Sequence, residues 1–126
     1  MKKEFQFIDG EVLLINKPLN WTSFQVVNKL RWIIKRKLGL KKIKVGHAGT
    51  LDPLATGLMI ISTGKMTKEN HQYQSSEKEY IATLKLGATT PSFDSETTEN
   101  YFYATKHISY ELIDKVKLNF LGEIKQ

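Results

Sequence analysis

The chain contains no cysteine. This removes disulfides, thiol catalysis and thiolate metal sites, and it fits a reducing compartment such as the cytoplasm. Histidine is scarce too, with three scattered residues, so there is little from which to build a metal centre. Apolar residues never run far enough to cross a bilayer, which takes about eighteen in succession. Two lysines open the N-terminus, but Glu4, Asp9 and Glu11 interrupt any apolar run after them, unlike a secretory leader. Acids are missing from one long stretch, where Asp52 is the only one between Glu11 and Glu69. No GxxxxGK[ST] string is present, and an acid within a glycine loop would repel phosphate, which disfavours a nucleotide-binding protein.

What remains is ordinary in bulk and uneven in detail. The 126 residues, 40% hydrophobic and 25% charged, have the composition of one globular domain. Net charge is +6, from 19 basic against 13 acidic residues. Much of that excess is local, since residues 29–44, KLRWIIKRKLGLKKIK, hold eight basic side chains and no acid. Such a block favours a polyanion, because binding to phosphates releases counterions. It runs directly into a glycine loop, which favours RNA steering over a merely solvated helix face. Arg31, Lys35, Lys41, Lys42 and Lys44 are candidate RNA backbone contacts, and Lys17 either touches phosphate or shapes its own loop.

Apolar spacing predicts a buried strand over 12–15, ended by Pro18. It then predicts a helix over 23–38 with Thr22 as N-cap, Gln25 completing a capping box and Gly39 as the stop. Phe24, Val27, Leu30, Ile34 and Leu38 form its inner stripe, Asn28, Arg31 and Lys35 its wet face, and Trp32 is expected to pack. A strand over 58–62 and a short polar helix over 65–74 come next. Residues 80–86 alternate as a strand should, with Tyr80, Ala82, Leu84 and Leu86 on one face. A polar loop over 87–100 leads to a strand over 101–104. Ser109 then caps a helix reaching Leu121, with Ile108 and Ile113 as a hydrophobic staple and Gly122 as the stop. This order suits an α/β or an α+β domain, and pattern alone does not choose between them.

The most informative stretch is residues 45–57, VGHAGTLDPLATG, which lead into the apolar run Leu58, Met59, Ile60, Ile61. Gly46, Gly49 and Gly57 give a loop with backbone angles closed to other residues and room for a ligand to approach the main chain. Asp52 is a lone carboxylate on that stiff loop, suited to act as nucleophile or base. Thr50 and Thr56 are expected to bond the loop's own backbone.

The string GHAGTLDPLATG resembles the active-site motif of the TruB family of tRNA pseudouridine synthases. Two further segments agree with that family in order and spacing. Upstream, residues 16–23, NKPLNWTS, resemble its early Lys-Pro-x-x-x-Thr-Ser segment. Downstream, Lys78, Glu79 and Tyr80 open a stretch resembling its Lys-x-Tyr strand, followed by Ala88, Thr89, Thr90 and Asp94, the last matching a family acid.

The resemblance implies an α+β pseudouridine synthase fold, a mixed and mostly antiparallel sheet with flanking helices. It implies isomerisation of uridine 55 in the tRNA T loop, with Asp52 catalytic. Tyr80 is expected to stack the flipped base or to pack in the core, and His47 to contact the extruded nucleotide, fill the gap it leaves or brace the loop through a backbone hydrogen bond. The resemblance also implies a cytoplasmic enzyme, monomeric at full length, that needs no cofactor, metal, membrane or protein partner. Family members continue past the point where residues 123–126 look like the start of another strand. Residues 1–126 are therefore expected to be the N-terminal part of the catalytic domain, without its remainder or a C-terminal RNA-binding domain. The sheet is expected to be incomplete at the C-terminus and the isolated chain to have little activity. The alternative is a non-catalytic module that binds structured RNA through the basic helix and the glycine loop.

Overall fold

The computed structural model describes residues 4–125. They form two compact units, one up to Tyr80 and the other from Ile81 on. Helices are combined with small antiparallel sheets, so the chain is α+β.

In the first unit, strand β1 (Val12–Lys17) pairs antiparallel with β3 (Gly57–Thr63), which pairs in turn with the short β2 (Val45–His47). The sheet order is β1-β3-β2. Pairing of Ile15 with Met59 and of Leu13 with Ile61 aligns their side chains on one face. Helix α1 (Ser23–Leu38) covers that face, and the core is Val26, Val27 and Ile34 against Val45, Met59 and Ile61. The other face is barer, with Leu14 and Leu58 well exposed. A 3-10 turn (Gly64–Glu69) and the short helix α2 (Asn70–Gln74) succeed β3, where a polar helix was expected.

Helix α1 has the bounds its sequence predicts. The Thr22 side chain accepts from Gln25 N at 3.1 Å, and Gln25 Oε1 accepts from Thr22 N at 2.7 Å. Gly39 takes the left-handed conformation that ends the helix. Its inner stripe is rotated from the expected one, since Val26 is buried while Phe24 and Leu38 are exposed. Asn28, Arg31 and Lys35 are half-buried and Trp32 is exposed, the reverse of the expected arrangement.

In the second unit, β4 (Ala88–Thr89) pairs antiparallel with β5 (Tyr101–Phe102), and helix α3 (Tyr110–Lys117) runs on into a 3-10 turn (Leu118–Phe120). Ser109 caps α3 as expected, accepting from Leu112 N at 3.2 Å. The alternating stretch 80–86 forms no strand, and Ile81 is 96% exposed. Alternation makes a strand only where a neighbour supplies the ladder, and no neighbour among the described residues does so here.

Candidate functional site

The loop between β2 and β3 carries Asp52, and most of its ties come from one end of β1 and the start of α1. Ser23 Oγ donates to Leu51 O at 3.0 Å and accepts from Leu51 N at 2.9 Å. On the other side of Asp52, Pro53 O accepts from Asn20 N at 2.8 Å and from Lys17 Nζ at 3.3 Å. Asp52 O closes a turn by accepting from Ala55 N at 3.0 Å. The loop is thus fixed immediately before and after the aspartate. The Asp52 side chain is exposed and makes no hydrogen bond or ion pair among the described residues. It is a free carboxylate on a pinned backbone.

Lys17 is the most deeply buried charged residue in this arrangement, with no exposed surface. Its alternation with Leu13 and Ile15 turns it to the covered face of the sheet, opposite Gly57. Nζ donates to Pro18 O at 2.9 Å, Trp21 O at 2.6 Å and Pro53 O at 3.3 Å. Three acceptors use the three donors of an ammonium. Its donors are thus spent on loop carbonyls, the geometry of the loop-shaping alternative, with none turned to solvent for a phosphate.

His47 ends β2, and its Nδ1 accepts from Gly49 N at 3.4 Å. Nδ1 is thereby turned to the loop backbone, and Nε2 has no partner among the described residues. Gly49 and Gly57 have φ of +149° and +128° with open space where a side chain would stand, as the glycine pattern implied. Gly46 serves differently: a Cβ there would lie 3.1 Å from Asn70 Nδ2. Thr50 and Thr56 are exposed, and neither hydroxyl bonds the loop among the described residues; Ser23 does that work instead.

Sequence reading gave Ser23 no role of its own. The only signal is a small hydroxyl beside the Thr22 cap, and its partner is 28 residues away. Removing it by Ser23→Ala strips both Leu51 groups of their partner, at an expected cost of about 1–3 kcal/mol. Hydrogen exchange at the Leu51 amide should accelerate, and unchanged protection would contradict this role.

The basic candidates are dispersed. Arg31 is committed inward, donating to Val45 O at 3.1 Å and to Asn28 Oδ1 at 2.8 Å. Lys35 is half-buried and Lys41 exposed. Lys42 and Lys44 join Lys65 and Lys68 around a cavity of about 520 Å³ beside Gly64. That cavity lies beyond the far end of β3, whose seven residues separate it from the Gly57 end by about 20 Å.

Tyr80 is exposed and has no strand to sit on. In the second unit, Asp94 Oδ1 accepts from Ser92 Oγ at 2.5 Å and from Glu96 N at 2.8 Å. The Ser92 bond, with the Glu96 amide second, holds its carboxyl below the usual range. Among the described residues there is no group of three or more potential metal ligands, and no helix is long and apolar enough to cross a membrane.

A sequence profile of the TruB family pseudouridylate synthases, N-terminal domain, matches residues 35–126, a range that contains Asp52 and its loop. The chain belongs to the TruB family. Among its relatives, proteins named tRNA pseudouridine synthase B are 62% identical over 120 residues in Phocaeicola vulgatus and 60% identical over 120 residues in Parabacteroides distasonis. In each case the match covers 95% of this chain and 51% of the relative. The protein of that name in Flavobacterium johnsoniae is 54% identical over 122 residues, covering 96% of this chain and 53% of its own. The chain thus spans about half the length of these TruB relatives.

Proposed function

We propose that the full-length protein is a tRNA pseudouridine synthase acting on uridine 55 of the T loop, with Asp52 as its catalytic residue. The observation that carries this reading is the free, exposed Asp52 carboxylate on a loop pinned at Leu51 and Pro53. A reactive group held this way keeps its position without spending its oxygens on the protein. Family membership supports the reading, as does the name that the relatives carry.

The chemistry turns on such a group. The N1–C1′ bond of uridine breaks, the base turns, and a C5–C1′ bond forms. C5 loses a proton and N1 gains one, so the product is an isomer of the substrate. No oxidation state changes and no phosphoryl group moves. The Asp52 carboxylate starts this sequence by attacking C1′, attacking the base or removing a ribose proton. All three routes place an anion against an electron-poor centre.

Uridine in a folded loop must leave its stack before Asp52 can touch it. Tyr80 offers an aromatic face for the extruded base, and its exposure leaves that face accessible. His47 offers its Nε2, which its Gly49 bond leaves without a partner among the described residues. The complete sheet of this reading is the pseudouridine synthase fold, of which the described antiparallel strands would be one part.

The test is incubation of the full-length protein with unmodified tRNA transcript, followed by mapping of pseudouridine. Conversion at position 55 is expected without any added cofactor. Conversion elsewhere only, or none, would refute the reading.

A further inference from the structure

The side of α1 turned away from Val26, Val27, Leu30 and Ile34 carries a large ring that the core does not use. Trp32 is 52% exposed there. Lys29 Nζ lies 5.1 Å from the ring centroid, and Arg36 Cζ lies 5.2 Å from it. These residues precede and follow Trp32 by one helical turn, so the indole is flanked by a cation at each end along the helix. Neither cation has a carboxylate partner among the described residues, and nor do Lys37, Lys41, Lys42 and Lys44. A flat aromatic surface beside unneutralised positive charge is what an unpaired nucleotide requires, one part for its base and one for its phosphates.

We propose that Lys29, Trp32 and Arg36 form an RNA-stacking platform, in which the Trp32 indole takes an unpaired base and the two cations take the flanking phosphates. The assignment rests on the tRNA reading above and adds a contact on α1, outside the Asp52 loop. In the free protein both cations rest over the ring, which fixes the indole against the helix surface. A phosphate attracts each cation more strongly than the ring does, and this bares the indole as the base arrives. Base stacking on tryptophan offsets the two exposed cation–π contacts that it replaces, and the cation–phosphate pairs add to it. Every base has such a face, so the platform adds affinity without selecting sequence. The charge also selects the partner, because a protein surface docked on Trp32 would have to pair or bury this cluster of cations.

The experiment measures the Kd of unmodified tRNA for the full-length protein and its variants across a salt series, with the melting temperature of each. Trp32→Ala should weaken binding by about tenfold, and Trp32→Phe should recover most of the loss. The double variant Lys29→Ala, Arg36→Ala should flatten the slope of log K against log salt by about two. Unchanged affinity in Trp32→Ala would overturn the platform. A lowered melting temperature with affinity retained would make Trp32 a packing residue beneath other protein, and would overturn it as well. Wild-type protein that binds and converts tRNA, beside a Trp32→Ala variant that binds equally well, sinks the platform alone. Wild-type protein that binds no tRNA sinks the tRNA reading with it.

Discussion

Asp52→Asn in the full-length protein is expected to abolish pseudouridine formation, lowering turnover by about three orders of magnitude or more. The substitution keeps size and shape while removing the charge that makes the oxygen reactive. Folding should hardly register it. The carboxylate makes no hydrogen bond or ion pair among the described residues, so none is lost, and the melting temperature should move by less than about 2 °C. Affinity for tRNA should stay within about threefold, since removing one exposed anion does not weaken attraction to a polyanion. Catalysis is measured by single-turnover conversion, binding by titration and stability by melting. Retained turnover would refute Asp52 as the catalytic residue. A large loss of stability would mean that the side chain has a structural partner after all.

Lys17→Met should do the opposite, damaging the fold first and the chemistry through it. Methionine matches the length of the stem and removes all three donors to Pro18, Trp21 and Pro53. Hydrogen bonds from a charged donor contribute about 1.5–3 kcal/mol each. Two terms reduce the sum. The variant no longer buries a charge, and the carbonyls of the exposed residues Pro18 and Trp21 can turn to water. The net loss should be about 2–4 kcal/mol, read from denaturant unfolding of the full-length protein. Turnover should also fall, because Pro53 loses one of the two tethers that fix the loop beside Asp52. A loss below about 1 kcal/mol would show that the three contacts carry little net energy. Together the two substitutions separate a residue that reacts from one that holds the loop in place.

The contrast between Asp52 and Lys17 also shows what could be read from the sequence. Asp52 is legible because the string around it is local and resembles a family motif, and because it lies in a region otherwise free of acids. Helix α1 was legible for the same reason, since the Thr22–Gln25 box and Gly39 encode both its ends within neighbouring residues. Lys17 was half-legible. Its strand alternates, and continuing the inward series Leu13, Ile15 places position 17 inside, but the carbonyls that receive it come from two separate turns.

Features set by distant partners were not legible. The three-residue strand β2 is too short to show a period and exists because β3 pairs with it. The stretch 80–86 has the period and lacks the partner. Arg31 resembled every other cation of its block until Val45 O claimed it. A local motif therefore located the Asp52 loop, and long-range pairing decided which side chains hold it.

The most direct measurement is position-resolved mapping of pseudouridine in unmodified tRNA, with wild-type protein and Asp52→Asn run side by side at full length. Conversion at position 55 by the wild type, and none by the variant at equal tRNA occupancy, is the predicted result. Conversion by both proteins, or by neither despite tight binding, would contradict a catalytic Asp52.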